Sequence, residues 1–221
     1  MNRRSITGGE MRSGIEELWK SLENSEPHLV CERAGAAYSR EKQQYSLTCF
    51  GETVYLCLTD RSIQTTSGVG RLLLERFEED FCLSLLAYMV YVQGREITGE
   101  LVRPTDLPGG QIYREGAHQL PLAELAAYYR EESSSFLESS DRLGGVRLDY
   151  GDASCRLYPF PKLPVTLILR ERDEEFPERA DLYFDAGSRD QFPPDVLWSV
   201  ASLSVALLIR LCEQAPPRDE P

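Results

Sequence analysis

Histidine is almost missing from this 221-residue chain; only His28 and His118 occur. That count alone excludes a histidine-rich metal centre. The six cysteines, Cys31, Cys49, Cys57, Cys82, Cys155 and Cys212, form no C-x-x-C pair and no metal-like spacing. The four-cysteine run of an iron–sulfur cluster is absent too. Neither G-x-G-x-x-G nor G-x-x-x-x-G-K-[ST] occurs, so nucleotide binding has no motif behind it. Without G-x-S-x-G, α/β-hydrolase chemistry lacks its nucleophile elbow. Long apolar runs are missing as well. The longest, Phe81 to Val92, has about a dozen residues against the ~20 that a membrane helix needs. After Arg3 and Arg4 no apolar stretch follows, so Met1 to Gly9 lacks the form of a secretory signal. Basic residues are scarce: 24 Lys and Arg face 36 Asp and Glu, a formal charge of -12. Such an excess repels phosphate backbones and anionic lipid surfaces. These absences predict a soluble, cytoplasmic protein that binds neither nucleic acid nor membrane. They also predict reduced, mostly buried thiols. Cys49 and Cys57 flank a predicted hairpin, yet no bond between them is expected.

What is present reads as a globular domain, 42 % apolar and 27 % charged. Met11, Ile15, Leu18 and Leu22 recur at helical spacing and predict a helix over Glu10 to Asn24. A second short helix is expected from Pro27 to Tyr38, with Ser25 as its N-cap. The period then changes. Tyr45, Leu47 and Cys49 alternate with polar neighbours, Gly51-Glu52 turns, and Thr53 to Leu58 returns: a β-hairpin. Arg61 to Thr65 adds a short strand. Gly68 to Gly70 should break the chain before one long helix, Arg71 to Val92, apolar nearly all round in its second half and ended by Gly94.

A short strand is expected within Thr98 to Val102, followed by a turn-rich stretch at Pro104 to Gly110. Helices are predicted over Pro121 to Arg130 and Ser133 to Leu143. Strands follow at Val146 to Leu148, Ser154 to Tyr158, Val165 to Leu169 and Ala180 to Phe184. Pro193-Pro194-Asp195 opens a last helix with Val196, Val200, Leu203, Leu207 and Leu211 as its buried stripe. Strands cluster instead of alternating with helices. The fold class is therefore α+β: a mainly antiparallel sheet packed against a long central helix and further helices. One domain over residues 10–213 is expected, with disordered ends at 1–9 and 214–221.

The order of several landmarks carries a resemblance. Tyr45 to Leu58 comes first, then Leu86 to Val90 with Thr98-Gly99-Glu100. Leu107-Pro108-Gly109-Gly110 with Tyr113, Leu143-Gly144-Gly145 and Gly151-Asp152 follow. Pro161 to Pro164, Asp173 to Pro177 and Phe184-Asp185 close the series. In this order they resemble the bacterial and archaeal family of domain of unknown function 3786, over roughly Gly14 to Cys212. The resemblance implies no activity. It implies a link with anaerobes, where many members carry an added iron–sulfur domain similar to that of corrinoid iron–sulfur proteins. This chain holds no such domain.

The densest carboxylate cluster is Asp173-Glu174-Glu175, with Asp185 ending the next strand. Such acids at strand ends would hold a divalent ion or divide into acid and base. The structural alternative is a β-turn: Asp173 accepts turn N–H groups, Glu174 is solvated, Phe176 packs beneath, and Asp185 caps a loop. Tyr113 and His118, after the first Gly-Gly turn, are candidate ligand contacts. The Gly-Gly turns themselves serve either anion binding or positive φ. Cys155 beside Arg156 is a weak nucleophile candidate, since neighbours in a strand face opposite ways. The late aromatics, Tyr150 through Trp198, line either a pocket or the sheet core.

Taken together, these residues favour a non-catalytic accessory protein. It would hold a small molecule or a protein partner in a cleft between the C-terminal sheet and the long helix. Asp173, Glu175, Asp185, Tyr113 and His118 are its candidate contacts, and no cofactor is indicated. The alternatives are a carboxylate-based, divalent-metal-dependent enzyme and a structural subunit of a complex. The link to corrinoid or one-carbon metabolism comes from the resemblance alone.

Overall fold

The fold comes from a computed structural model, which describes residues 8–110, 119–130, 133–189 and 191–214, with side chains from residue 13 onward. Helix α1 (Gly8–Glu23) and α2 (Pro27–Ala34) lead into four strands, β1 (Ala37–Ser39), β2 (Gln44–Cys49), β3 (Glu52–Cys57) and β4 (Ser62–Thr65). These form one antiparallel sheet in sequence order. Helices α3 (Gly68–Arg76) and α4 (Glu78–Tyr91) follow, then β5 (Leu101–Val102), α5 (Leu122–Tyr128) and α6 (Ser133–Arg142). The remainder is β6 (Val146–Leu148), β7 (Ala153–Phe160), β8 (Leu163–Arg170), β9 (Arg179–Asp185) and α7 (Pro194–Glu213). The second sheet has the order β5-β9-β8-β7-β6 and is antiparallel throughout. The expected α+β class is the observed one, with two sheets in place of one.

Several boundaries differ from expectation. The single helix over Arg71 to Val92 is two. Phe77, at φ -132°, leaves the helical region between α3 and α4. The break is bridged on both sides, because Phe77 N–H reaches the Leu73 carbonyl and Phe81 N–H the Phe77 carbonyl. Glu78, Glu79 and Asp80 then restart the helix with negative charge at its positive end. Gly68 to Gly70 does not break the chain. It is the first turn of α3, capped by the Ser67 hydroxyl accepting from Gly70 N–H at 2.9 Å. Tyr38 lies in β1, not in α2, which stops at Gly35 with φ +65°. The α2 N-cap is Glu26 without a side-chain cap bond, whereas the Ser25 hydroxyl donates back to the Ser21 carbonyl of α1.

The tip of the β2–β3 hairpin packs against the second sheet. The β2–β3 hairpin turns at Phe50 and Gly51, both at positive φ (48° and 77°). Phe50 is fully buried, and its N–H donates to the Tyr158 carbonyl at 2.9 Å. That carbonyl is free to accept because the β7–β8 ladder shifts register between Leu157 and Phe160. Pro159 and Pro164 lie at the shift and lack the N–H groups a ladder needs. At the hairpin tip Gly51 meets Gly144 so closely that a Cβ on Gly144 would sit 2.7 Å from the Gly51 Cα. The second Gly-Gly turn therefore serves close packing of backbones at positive φ.

One hydrophobic core runs from Leu18 to Leu211 and takes in both sheets. β8 is the central strand, buried along its whole length except Arg170. Helix α7 is long and apolar enough to cross a membrane by length and composition, but its apolar residues Val200, Leu203, Leu207 and Leu208 belong to this core. Tyr88 of α4 sits at the seam. Its hydroxyl donates to the Ala34 carbonyl at the end of α2 (2.7 Å) and accepts from Lys162 N–H in the β7–β8 turn (3.1 Å). Its ring stacks on Phe160 at 4.7 Å and Phe192 at 5.9 Å. On the opposite side of the domain, Arg61 in the β3–β4 turn clamps α1 through Glu23 (2.7 and 2.8 Å) and Glu16 (2.5 Å).

Replacing Tyr88 by Phe keeps the ring stack and removes both hydrogen bonds, leaving the buried Ala34 carbonyl and the part-buried Lys162 N–H without this partner. Urea unfolding should show a loss of about 1–3 kcal/mol. The Arg61 clamp has a pH signature. Its guanidinium hydrogen bonds hold the Glu16 and Glu23 carboxyls below their ordinary 4.5. A depressed folded-state value stabilises above the unfolded value and is lost as pH falls through the folded one. The stability gap between wild type and Arg61→Asn, a residue that tolerates the positive φ, should be full above pH 4.5 and close at lower pH in thermal melts.

Candidate functional site

The expected site residues do not converge. Asp173 forms a local turn: its Oδ1 accepts from Glu175 N–H (2.8 Å) and Phe176 N–H (2.7 Å), and its own N–H donates to the Phe176 carbonyl (3.0 Å). Glu174 and Glu175 are exposed. Phe176 is not packed beneath the turn; it is 66 % exposed. The turn joins β8 to β9, and among the described residues nothing covers the ring. Asp173 and Phe176 border a shallow hollow of about 620 Å³ that also includes Arg170 and Arg179. Asp185 lies at the far end of β9, seven residues or about 20 Å along the strand. Tyr113 and His118 fall outside the described residues.

Asp185 is a buried carboxylate, only 3 % exposed. Its Oδ1 accepts from Thr98 N–H (2.9 Å), the Thr98 hydroxyl (3.0 Å) and Gly187 N–H (2.8 Å), while Oδ2 accepts from Gly99 N–H (2.7 Å). The Thr98-Gly99 step is thus a ligand for the carboxylate that ends β9. Gln191, also buried, accepts from Gln93 and Arg95 N–H groups and donates to the Gly187 carbonyl. Together the two side chains pin the irregular stretch 93–100 to the sheet. A Cβ on Gly187 would lie 2.4 Å from the Glu96 carbonyl oxygen, so only glycine fits beneath this stretch.

A more open-ended chemistry is offered elsewhere. Helices α1, α4 and α7 enclose a groove of about 480 Å³. It exists because small residues face one another where the three helices meet: Gly14 and Ser21 on α1, Ser84 and Ala87 on α4, Ser199 on α7. A Cβ on Gly14 would touch nothing within 4 Å. Ser84 and Ser199 share a hydrogen bond of 2.9 Å that fixes α4 against α7. Leu18, Leu83, Val90 and Val196 supply the apolar wall, and Tyr91 and Trp198 add aromatic surface. Glu17, Asp80 and Asp195 complete the lining. Burial pushes the Asp80 carboxyl up, and Glu79 adds to the rise. This groove is bounded by helices alone and is not the cleft between sheet and helix that the sequence suggested. The sheet contributes no wall because β8 is covered on both faces. Of the groove residues, Trp198 was singled out from the sequence as a candidate pocket aromatic, and Leu18 and Val196 only as helix-stripe residues; the three carboxylates were not. The available signal was the run of small residues within otherwise apolar helices, which reads equally well as close helix packing.

The model of the family described as a domain of unknown function (DUF3786) matches residues 26–206. The chain belongs to that family. No curated protein and no solved structure matches it. The match takes in α4 and most of α7, and it begins after α1. Landmarks of the DUF3786 chain thus acquire structural roles: the exposed Thr98-Gly99 step is latched to the buried Asp185, and Gly144 seats the hairpin tip.

Four of the six thiols are held unreactive by burial. Burial raises Cys31, Cys49, Cys82 and Cys155, the last two to about 11 and about 12. Few thiolates exist at neutral pH under such values. Cys49 and Cys57 pair with Glu52 and Gln44, at opposite ends of the hairpin. Among the described residues no group of three or more His, Cys, Asp or Glu gathers as a metal site.

The two aspartates of the expected corner should respond differently to the same change. Asp185→Ala strands four donors and should cost about 3 kcal/mol or more, and Asp185→Asn over 1 kcal/mol, because an amide N–H₂ faces donors. Asp173→Asn keeps an acceptor in place and should stay within about 0.5 kcal/mol of wild type. Chemical denaturation of the three variants reads the contrast directly.

Proposed function

We propose that the protein is a non-catalytic binding protein that holds a small organic molecule in the groove between α1, α4 and α7. The observation that carries this reading is the groove itself: about 480 Å³, apolar-walled, with a few polar groups converging on it. Ligand sites commonly have roughly 300–1,000 Å³ and this mixture of surfaces. Its walls are helices held by core packing and by the Ser84–Ser199 bond, so the site is formed before a ligand arrives. The enzyme alternative named Asp173, Glu175 and Asp185; the length of β9 sets Asp185 apart from the other two, which favours the binding reading. A cytoplasmic accessory role belongs to the proposal. Its link with anaerobic corrinoid or one-carbon metabolism is drawn from the family resemblance alone.

A second reading has one observation in its favour. Phe176 stands exposed on a turn braced by Asp173 and flanked by Glu174, Glu175 and Glu178. A protein partner with an apolar pocket in a basic surface would fit that tip.

The groove reading is tested with a neutral apolar fluorophore, N-phenyl-1-naphthylamine. Wild-type protein should bind it saturably at one site. Gly14→Leu fills the open space beside α1 and raises helix propensity by about 1 kcal/mol, so it should abolish binding while the melting temperature holds or rises. Binding that survives in Gly14→Leu would remove the groove as the site.

A further inference from the structure

We infer that the ligand of this groove is an organic cation, an apolar body carrying an ammonium or amidinium head. The inference rests on the groove reading above and adds to it the charge of the ligand. Three carboxylates, Glu17, Asp80 and Asp195, line the groove, and no Lys, Arg or His does. Among the described residues no basic side chain pairs with any of the three. They come from three different elements, α1, α4 and α7, so the negative charge is a property of the groove and not of one helix.

A structural role for two of these acids is real and insufficient. Asp80 and Asp195 stand in the first turns of α4 and α7, where the helix dipole favours negative charge. Each helix start contributes about half an elementary positive charge, so two of them offset roughly one of the three carboxylates. Glu78 and Glu79 already serve the start of α4. Glu17 sits in the middle of α1 and has no helix end to serve. The balance at the groove remains negative, and an anionic ligand would be repelled.

The aromatic lining points the same way. Trp198 is half-buried and Tyr91 is 40 % exposed, and both border the groove. Aromatic faces attract ammonium and guanidinium groups through their quadrupole. The three carboxylates are exposed at the rim and solvated, so a neutral apolar ligand would gain nothing from them. A cationic head among them, with its hydrocarbon body along Leu18, Leu83 and Val90, satisfies both surfaces at once. Burial holds the Asp80 carboxyl above its ordinary value, and a bound cation opposes that rise.

The test compares hexylammonium, hexan-1-ol and hexanoate as competitors of N-phenyl-1-naphthylamine bound to the full chain. Hexylammonium should displace the fluorophore about tenfold more effectively than hexanol at low salt, and hexanoate should be the weakest. The ammonium advantage should shrink at high salt. It should vanish in the Asp80→Asn, Asp195→Asn double variant, which keeps the shape of the groove. Equal displacement by hexanol and hexylammonium, or stronger displacement by hexanoate, overturns the cation inference and leaves the groove reading standing. Failure of all three to displace a bound fluorophore also overturns the inference. If the fluorophore itself does not bind wild type, the groove reading falls with it.

Discussion

The Tyr88 hydroxyl is the point on which the two halves of the domain depend. The first half ends a helix at Ala34 and leaves a carbonyl that no helical N–H can reach. The second half turns between β7 and β8 at Lys162 and leaves a part-buried N–H facing the seam. One phenol answers both, donating to the first and accepting from the second. Its ring lies against Phe160 and Phe192, so the same side chain that joins the halves also fixes the entry to α7. Helix α4 can be buried nearly all round because its one large polar side chain at this depth has both partners it needs.

The groove follows from that placement. Tyr88 and the aromatic stack set α4 and the start of α7 relative to one another. Where the helices then cross α1, the facing residues are Gly14, Ser84, Ala87 and Ser199, too small to fill the space. A core under pressure only for stability would place larger apolar side chains there, since each buried methylene adds about 0.8 kcal/mol. The retained hollow, with carboxylates at its border, is the feature of this domain that packing alone does not account for. The Asp185 latch is a contrasting case. It too is a polar arrangement at depth, but every oxygen of the carboxylate is engaged by backbone or hydroxyl donors, and it leaves no vacancy for a ligand.

Regular periodicity made much of the fold legible. The β2–β3 hairpin, the strands β6 to β9 and the stripe Val196, Val200, Leu203, Leu207, Leu211 are local patterns, and each appears where the pattern puts it. The errors arise where a local pattern was ambiguous. Gly68 and Gly70 read as a chain break, yet Ser67 caps a helix that starts among them, and Gly70 fits because a Cβ there would lie 2.0 Å from the Thr65 hydroxyl oxygen. Phe77 carries no breaker signal, yet its backbone leaves the helical region there at φ -132°. Phe176 is apolar and was expected to pack, but burial requires an element above it, and among the described residues none covers the ring on the β8–β9 turn.

The sequence by itself determined the α+β class, the family and the terminal proline-opened helix. These depend on side-chain period, turn residues and motif spacing, which are properties of neighbouring positions. Only the tertiary structure decided that Asp185 serves Thr98 and Gly99 while Asp173 serves its own turn, because strand length, not sequence proximity, separates the two carboxylates. It also decided that Glu17, Asp80 and Asp195, far apart in the chain, border one groove. Convergence of that kind is set by how three helices pack, and a single sequence does not encode it in any local pattern.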